Sequence, residues 1–410
     1  MNIYLKNWLK SASFIILFSA ILTACSTNDN PEPEVKNYKK VLSMTVESMQ
    51  SFLIFAGQTQ LAGQINYPVD IYSYNYPMNY QGKTITASGL ICVPVTNGDN
   101  FPVVSFQHGT LVAKNEAPSA SFSSVTSISI ASLSGLGYIL LIPDLIGFGA
   151  SFEYFHPYLI KKNNVDAVTA MLGSLSDLPN GALSGTNPND SLFLAGYSQG
   201  GWITLAAMQE IENNNNGWNL IGTACGAGPY NPEQLMQYVL QQESYPRPFF
   251  LAYVLLSFVE DGTITQGMEH YFNPPYAEKI PILFDGTLNG AAIDVELNTN
   301  THELMQAGLF TYQQGSDYNE LIASFNTNKV DAWQNQTPLL LLHGTNDTYI
   351  PQELSDSIYS QFNALGSNQV QYETIPFTDH NSAATPAIVR SIDWFQQLRN
   401  KSEISLTSIN

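Results

Sequence analysis

The residues of this chain best suited to chemistry are a serine set between glycines, Gly-Tyr-Ser-Gln-Gly at positions 196–200. An apolar, strand-like segment at 191–195 precedes it, and residues 201–208 have the apolar spacing of a buried helix. So tight a turn between strand and helix strains the serine backbone and leaves little space for side chains two positions away. The pattern predicts a nucleophile elbow that holds the Ser198 hydroxyl at the carboxyl edge of a sheet.

A serine hydroxyl is a weak nucleophile at neutral pH, so it needs a general base and an acid that orients the base. Asp347 follows an apolar strand that ends near Gly344, and a predicted helix begins after it at Pro351. His380 lies in the loop after a further strand at 370–375. All three side chains would then meet at one sheet edge. The predicted roles are nucleophile for Ser198, general base for His380 and acid for Asp347.

Other roles for these residues remain open. Asp347 could be a turn residue that caps the following helix. His380 could be a surface or structural histidine. Asp379 could compete as the acid, although adjacent residues rarely face each other across a hydrogen bond. Separate Asn substitutions at the two aspartates would distinguish the acids.

A tetrahedral intermediate carries negative charge on oxygen, and backbone N–H groups are needed to stabilise that charge. One predicted donor is the N–H of Gln199, the residue after the nucleophile. The second should come from the loop after a strand at 102–107, where Gly109 or Thr110 would donate. His108 in the same loop is expected to brace it.

Strand-like and helix-like segments alternate along most of the chain. Strands are predicted near 65–76, 84–95, 102–107, 137–142, 191–196, 219–225, 338–343 and 369–375. Helices are predicted at 37–60 and near 121–134, 158–175, 200–213, 351–365 and 384–400. This order predicts an α/β fold with a mostly parallel, doubly wound sheet and helices on both faces.

About a hundred residues between two of the strands are more than such a sheet needs. Residues 37–228 and 337–410 would form the two parts of the core, and residues 229–336 a largely helical cap. Within the cap, residues 249–259 are apolar nearly all round. They predict either the core of the cap or a wall that binds an acyl chain.

Five segments of the chain resemble a known family. The chain looks like an α/β-hydrolase. Over residues 65–400 it is similar to the secretory lipases and to bacterial lipase-like esterase lipoproteins. The matching segments are FQHGT at 106–110, PDLIGFGAS at 143–151, HPYL at 156–159, GYSQGG at 196–201 and HGTND at 343–347. The resemblance implies a serine carboxylic-ester hydrolase that works through an acyl-serine intermediate, with no metal or organic cofactor. A serine peptidase or acyltransferase of the same fold is the alternative, and a non-catalytic binding protein is a third.

The N-terminal residues indicate where in the cell the protein is located. Lys6 and Lys10 precede a short apolar core at 14–22, and the segment ends in Leu-Thr-Ala-Cys at 22–25. This pattern predicts a lipoprotein signal at 1–24, a lipidated Cys25 and a polar tether at 25–36. The chain would be anchored to a bacterial membrane by lipid, at the outer membrane, cell surface or periplasm. A plain secretory signal is the alternative.

The charge composition of the chain limits which binding partners it can have. The chain has 34 Asp and Glu against 15 Lys and Arg, a net charge of −19. That charge argues against nucleic acid as a partner. A small-molecule or lipid ester is the expected substrate, and a monomer is the expected state. Cys92 and Cys225 lie in apolar strand-like segments, which favours buried free thiols over a disulfide.

Overall fold

The structure is a computed structural model that describes residues 37–407, apart from 122–127, 129, 180–181 and 215–216. The predicted signal segment at 1–24 and the whole tether at 25–36, Cys25 included, lie outside the described residues. Within those residues, no helix combines the length and apolarity needed to cross a bilayer.

Within the described residues, nine strands form one sheet. They are β1 (Tyr38–Met44), β2 (Val69–Tyr80), β3 (Lys83–Pro94), β4 (Asn100–Gln107), β5 (Ile139–Pro143), β6 (Asn187–Tyr197), β7 (Asn219–Gly226), β8 (Leu339–Gly344) and β9 (Val370–Ile375). The strand order is β1-β2-β3-β5-β4-β6-β7-β8-β9. Neighbours from β1 to β5 along this order are antiparallel, and neighbours from β5 to β9 are parallel. The predicted α/β fold with a mostly parallel sheet is confirmed.

Helices of the described residues connect and cover these strands. The α-helices are α1 (Val46–Phe55), α2 (Thr59–Ala62), α3 (Lys161–Ser174), α4 (Gln199–Asn214), α5 (Pro232–Leu240), α6 (Pro248–Glu260), α7 (Tyr276–Leu283), α8 (Gly290–Glu296), α9 (Thr301–Leu304), α10 (Asn319–Asn328), α11 (Glu353–Ala364) and α12 (His380–Thr407). Short 3-10 helices occur at Lys114–Glu116, Ser132–Leu136, Gly149–Ser151, Leu175–Asp177, Met268–His270 and Ala307–Thr311.

Two hydrophobic cores lie on opposite faces of the sheet, because successive side chains of a strand point to opposite sides. Leu192 and Leu194 of β6 belong to the core that includes residues of α3, α4 and α6. Phe193 and its neighbour Ala195 belong to the other core, with residues of α1 and α12. A strand that is buried on both faces reads as a continuous apolar run, as β6 does.

One predicted helix, at 37–60, is wrong over its first third. Tyr38–Met44 is an edge strand that pairs antiparallel with β2, and Lys40 contacts the buried Asp70 carboxylate at 2.5 Å. The helix begins only at Val46, after the Thr45 hydroxyl accepts a hydrogen bond from the backbone N–H of Ser48. Pairing with β2 supplies the backbone hydrogen bonds that a helix would otherwise provide. The helix predicted near 121–134 falls partly outside the described residues, and its last part is the 3-10 helix Ser132–Leu136.

Helices α5 to α10 lie between β7 and β8 in the chain and add no strand to the sheet. The apolar helix α6 is buried along most of its length, with Phe249, Leu255 and Phe258 in the large core. Cys92 on β3 and Cys225 on β7 are free and fully buried, and burial raises the pKa of both thiols. Neither thiol is therefore suited to act as a nucleophile.

Candidate active site

Ser198 lies in the turn between β6 and α4, with a left-handed φ of 61°. This conformation strains a non-glycine residue. The two flanking glycines make the turn possible. A Cβ on Gly196 would collide with the Gly200 carbonyl and the Thr204 hydroxyl, and a Cβ on Gly200 would collide with the Gln107 carbonyl. Ser198 is held by the hydrogen bond from its N–H to the Gly226 carbonyl of β7, at 2.8 Å.

Ser198, His380 and Asp347 form one chain of hydrogen bonds. The Ser198 Oγ lies 2.9 Å from His380 Nε2, and His380 Nδ1 lies 2.6 Å from Asp347 Oδ2. In the neutral tautomer that carries its proton on Nδ1, His380 donates to Asp347 and has a free acceptor at Nε2. This tautomer can take the proton from the serine. All three residues are less than a tenth exposed. The structure therefore brings together three residues that are more than 30 positions apart from one another in the chain.

The Asp347 carboxylate is held in its ionised form. Its Oδ1 accepts hydrogen bonds from the N–H groups of Tyr349 and Ile350, both at 2.9 Å. Burial opposes ionisation, but the hydrogen bonds from His343 and His380 outweigh it and leave the pKa of Asp347 well below its ordinary value. The group can therefore stabilise positive charge on His380 at any pH near neutrality.

Asp379 occupies a different place from Asp347. Its carboxylate is exposed and accepts hydrogen bonds from the N–H and the hydroxyl of Ser382, at 2.8 and 2.7 Å. Asp379 thus caps the first turn of α12, whereas Asp347 contacts the His380 ring. The carbonyl of His380 accepts a hydrogen bond from the Tyr197 hydroxyl at 2.7 Å, which ties the histidine to the serine elbow.

Two of the predicted oxyanion donors, Gln199 and Gly109, lie next to Ser198. Gln199 is the first residue of α4, and a Cβ built on Gly109 would lie 3.6 Å from the Ser198 Cβ. Among the described residues, none accepts a hydrogen bond from the N–H of Gly109 or Thr110. His108 lies with Nδ1 2.7 Å from the Gly109 carbonyl and Nε2 3.2 Å from the Asp144 carbonyl.

His156 and Tyr158 also reach the site, and the sequence assigned neither of them a role. His156 Nε2 lies 2.8 Å from the side-chain amide of Gln199, and the Tyr158 hydroxyl lies 3.1 Å from the Thr110 hydroxyl. The only sequence signal was the HPYL run at 156–159, which contributed to the family resemblance.

An apolar cavity opens beside Ser198. Tyr158 lines it near the serine, and most of its wall comes from helices α5, α6 and α10. The lining residues from these three helices are apolar: Leu235, Met236, Phe250, Leu251, Val254 and Phe325. A cavity with this apolar lining fits the hydrophobic part of a small ligand.

The profile of the secretory lipase family matches residues 117–405. Among solved structures, the chain is similar to a candidate hydrolase from Legionella pneumophila, with 26% identity, a TM-score of 0.79 and coverage of 88% of this chain and 97% of that one. The rice cell wall degrading esterase LipA from Xanthomonas oryzae, in a ligand-bound form, has 22% identity, a TM-score of 0.74 and coverage of 88% and 96%. Candida antarctica lipase A in its closed state has 14% identity, a TM-score of 0.64 and coverage of 89% and 81%. No curated protein sequence is detectably similar to the chain.

Proposed function

Because the chain belongs to the secretory lipase family, we propose that Ser198, His380 and Asp347 are the catalytic triad of this carboxylic-ester hydrolase. The observation that carries the proposal is the unbroken hydrogen-bond series from the serine hydroxyl to the aspartate, at 2.9 and 2.6 Å. The family match favours ester hydrolysis over the peptidase or acyltransferase alternative.

In the first half of the reaction, the Ser198 Oγ attacks the ester carbonyl while His380 Nε2 takes the serine proton. Asp347 stabilises the imidazolium that forms. When the tetrahedral intermediate collapses, the carbon–oxygen bond to the alcohol breaks, and His380 gives its proton to the leaving alkoxide. In the second half, His380 activates a water that attacks the acyl-serine, and the free acid leaves as the serine regains its proton.

Backbone donors stabilise the oxyanion in both halves. We assign this role to the N–H of Gln199 and to that of Gly109 or Thr110. The support is their position: Gln199 adjoins the nucleophile at the N-terminus of α4, and Gly109 lies against Ser198. Preorganised donors of this kind cost no reorganisation as charge develops.

The acyl part of the substrate fits the cavity beside Ser198. We propose that residues 229–336 form a cap whose helices α5, α6 and α10 supply the acyl-binding wall. The wall is apolar at Leu235, Met236 and Val254, so burial of a hydrocarbon chain there would add about 0.8 kcal/mol per methylene. The preferred substrates are therefore esters with an apolar acyl chain longer than acetyl, in lipids or in small molecules.

Substitutions in this wall should change acyl-length preference in opposite directions. Leu235 is only half-buried, so a larger side chain there can be accommodated with little strain in the fold. We expect Leu235→Trp to lower kcat/KM for p-nitrophenyl decanoate about tenfold and to leave acetate nearly unchanged, because the cavity is shortened. Met236→Ala should shift the preference toward longer chains. The measurement is kcat/KM across p-nitrophenyl esters from acetate to palmitate.

Val295→Trp is the matched control, because Val295 lies on cap helix α8 and is 83% exposed. This variant should have the same acyl-length preference as the wild-type protein. An equal loss on all chain lengths for Leu235→Trp would contradict the acyl-binding role of the cavity.

The secretory family indicates export from the cytoplasm. We propose further that the exported chain is lipidated at Cys25 and held at a bacterial membrane, at the outer membrane, cell surface or periplasm. The support is the Leu-Thr-Ala-Cys run at 22–25 after a short apolar core. Residues 25–36 would then tether the catalytic unit, as a monomer, within about 40 Å of the membrane, since each residue spans at most about 3.6 Å.

Removal of the lipidated cysteine should release the protein. We expect Cys25→Ala, expressed as the full chain in a Gram-negative bacterium, to lose labelling by radioactive palmitate and to leave the membrane fraction, because lipid chains are the proposed anchor. Ser26→Ala keeps the cysteine and should stay labelled and membrane-bound. Retention of unlabelled wild-type protein in the membrane fraction would overturn the proposal.

A further inference from the structure

The segment His156–Tyr158 contacts both sides of the proposed oxyanion hole. His156 is 3% exposed, and its Nε2 lies 2.8 Å from the side-chain nitrogen of Gln199. Tyr158 is 4% exposed, and its hydroxyl lies 3.1 Å from the hydroxyl of Thr110. One segment of three residues therefore bonds to one residue from each of the two donor elements.

The hydrogen bond from Gln199 to His156 has a defined direction. His156 Nδ1 lies 2.7 Å from the Ile146 carbonyl, so this nitrogen carries the proton and donates it. Burial lowers the pKa of His156 to about 3, so the ring is neutral near pH 7 and Nε2 is an acceptor. The Gln199 amide must then donate through its nitrogen. Its Oε1 is buried without a hydrogen-bond partner among the described residues, so the bond to His156 sets the orientation of this side chain.

The bond from Tyr158 to Thr110 lies in the wall of the substrate cavity. Tyr158 lines the cavity next to Ser198. Its ring stacks on Tyr253 of helix α6, with centroids 4.5 Å apart and planes 4° from parallel. The tyrosine is therefore fixed by its ring from the cap side while its hydroxyl reaches the loop after β4.

The segment itself is rigidly supported. Asn164, which is 1% exposed, donates from Nδ2 to the carbonyls of Pro157 and Ile160, both at 2.8 Å. The His156 ring packs 5.1 Å from the Phe148 ring. The backbone of His156 lies so close to Gly147 that a Cβ there would collide with it. Buried hydrogen bonds and close packing of this kind hold a supporting residue in one position.

We propose that His156 and Tyr158 are positioning residues that set the separation of the two oxyanion donors, His156 through Gln199 and Tyr158 through Thr110. The inference rests on the proposed function, because it assigns a task to residues around the proposed oxyanion hole.

The two donors need such a support because they belong to different elements. Gln199 begins α4, and Gly109 and Thr110 follow β4 about 90 positions earlier in the chain. Donors must lie about 2.7–3.1 Å from the position that the oxyanion will occupy. A shift of about 1 Å in either element can cost about 100-fold in rate. The segment at 156–158 fixes side chains of both elements against one rigid support.

The test compares turnover, substrate binding and binding of a tetrahedral adduct. Phenylboronic acid forms a bond between its boron and the Ser198 oxygen, and one boron-bound oxygen then takes the place of the oxyanion. We expect Tyr158→Phe and His156→Leu each to lower kcat for p-nitrophenyl butyrate about 10- to 100-fold and to leave KM within about twofold. Inhibition by phenylboronic acid should weaken by a similar factor, because it needs the same donor spacing.

A rescue variant separates positioning from loss of fold. His156→Gln keeps a side-chain acceptor for the Gln199 amide and should restore kcat to within about fivefold of wild type. Tyr74→Phe is the matched control, because it removes another buried tyrosine hydroxyl, one that donates to the Ser174 carbonyl in the core. It should change neither kcat nor inhibition. Thermal unfolding of each variant gives the folded fraction at the assay temperature.

Two results would overturn the proposal. One is a raised KM with unchanged kcat and unchanged phenylboronic acid inhibition, which would make the two residues part of the acyl-binding wall. The other is a loss of kcat that matches the loss of folded protein and is not rescued by His156→Gln. A failure of the proposed function is distinct from both, since the wild-type protein would then show neither Ser198-dependent ester hydrolysis nor inhibition by phenylboronic acid.

Discussion

Ser198→Ala should lower kcat for p-nitrophenyl butyrate by about 10⁵-fold or more, because the variant has no oxygen to form the acyl intermediate. The variant should still hydrolyse the ester faster than the uncatalysed reaction in water, because the oxyanion donors and substrate binding remain. Alanine keeps the Cβ of serine in the strained turn at φ 61°, so the fold should be unchanged. Initial rates with enzyme concentrations raised for the variant, together with thermal unfolding, provide the measurement.

Ser191→Ala is the control for this substitution. Ser191 lies on β6, the strand that leads into the turn at Ser198, seven residues before that serine, and is only half-buried. Its loss should change kcat by less than about twofold, as for most surface-side substitutions away from special features. If Ser198→Ala retained a tenth of the wild-type rate, another group would be the nucleophile.

Asp347→Asn should lower kcat by about 10⁴-fold with little change in KM. An amide in place of the carboxylate favours the wrong histidine tautomer and gives no charge to stabilise the imidazolium. The present contact, 2.6 Å between Asp347 Oδ2 and His380 Nδ1, depends on an ionised carboxylate. The same ester assay measures the effect, over a pH range in which the wild-type protein stays folded.

Asp379→Asn is the corresponding control, since this residue adjoins His380 in sequence. Its exposed carboxylate caps α12 through Ser382 and does not contact the His380 ring. Asn caps a helix N-terminus about as well as Asp, so the variant should keep the wild-type stability and turn over at nearly the wild-type rate. Similar losses of kcat in the two Asn variants would contradict the assignment of Asp347.

The sequence predicted those parts of the site that local chemistry determines. The glycines at 196 and 200 are required by a turn in which their Cβ atoms would collide with nearby backbone. Asp347 and His380 each follow a strand of the sheet, and parallel strands bring their carboxyl ends to one edge. Residue order and strand pattern were therefore enough to propose that the side chains of Ser198, Asp347 and His380 lie together.

The parts that the sequence did not predict depend on contacts between distant segments. Tyr38–Met44 looked like the start of a helix because its apolar residues continue the spacing of α1, but pairing with β2 makes it a strand. His156 and Tyr158 gave no chemical signal of their own. Their partners are 43 and 48 positions away in the chain, and only the folded loops bring them together. In α6 apolar residues occur on every side of the helix, so the sequence did not show which side faces the cavity.

The most direct test of the central claim is to trap the acyl intermediate and locate it. The soluble chain that begins after Cys25 would be mixed with p-nitrophenyl butyrate, quenched in acid within milliseconds and analysed by mass spectrometry of the intact protein and its peptides. The account predicts one added butyryl group, on the peptide that contains Ser198, and none in Ser198→Ala. Turnover of the ester with no acyl group on Ser198, or with the group on another residue, would contradict it.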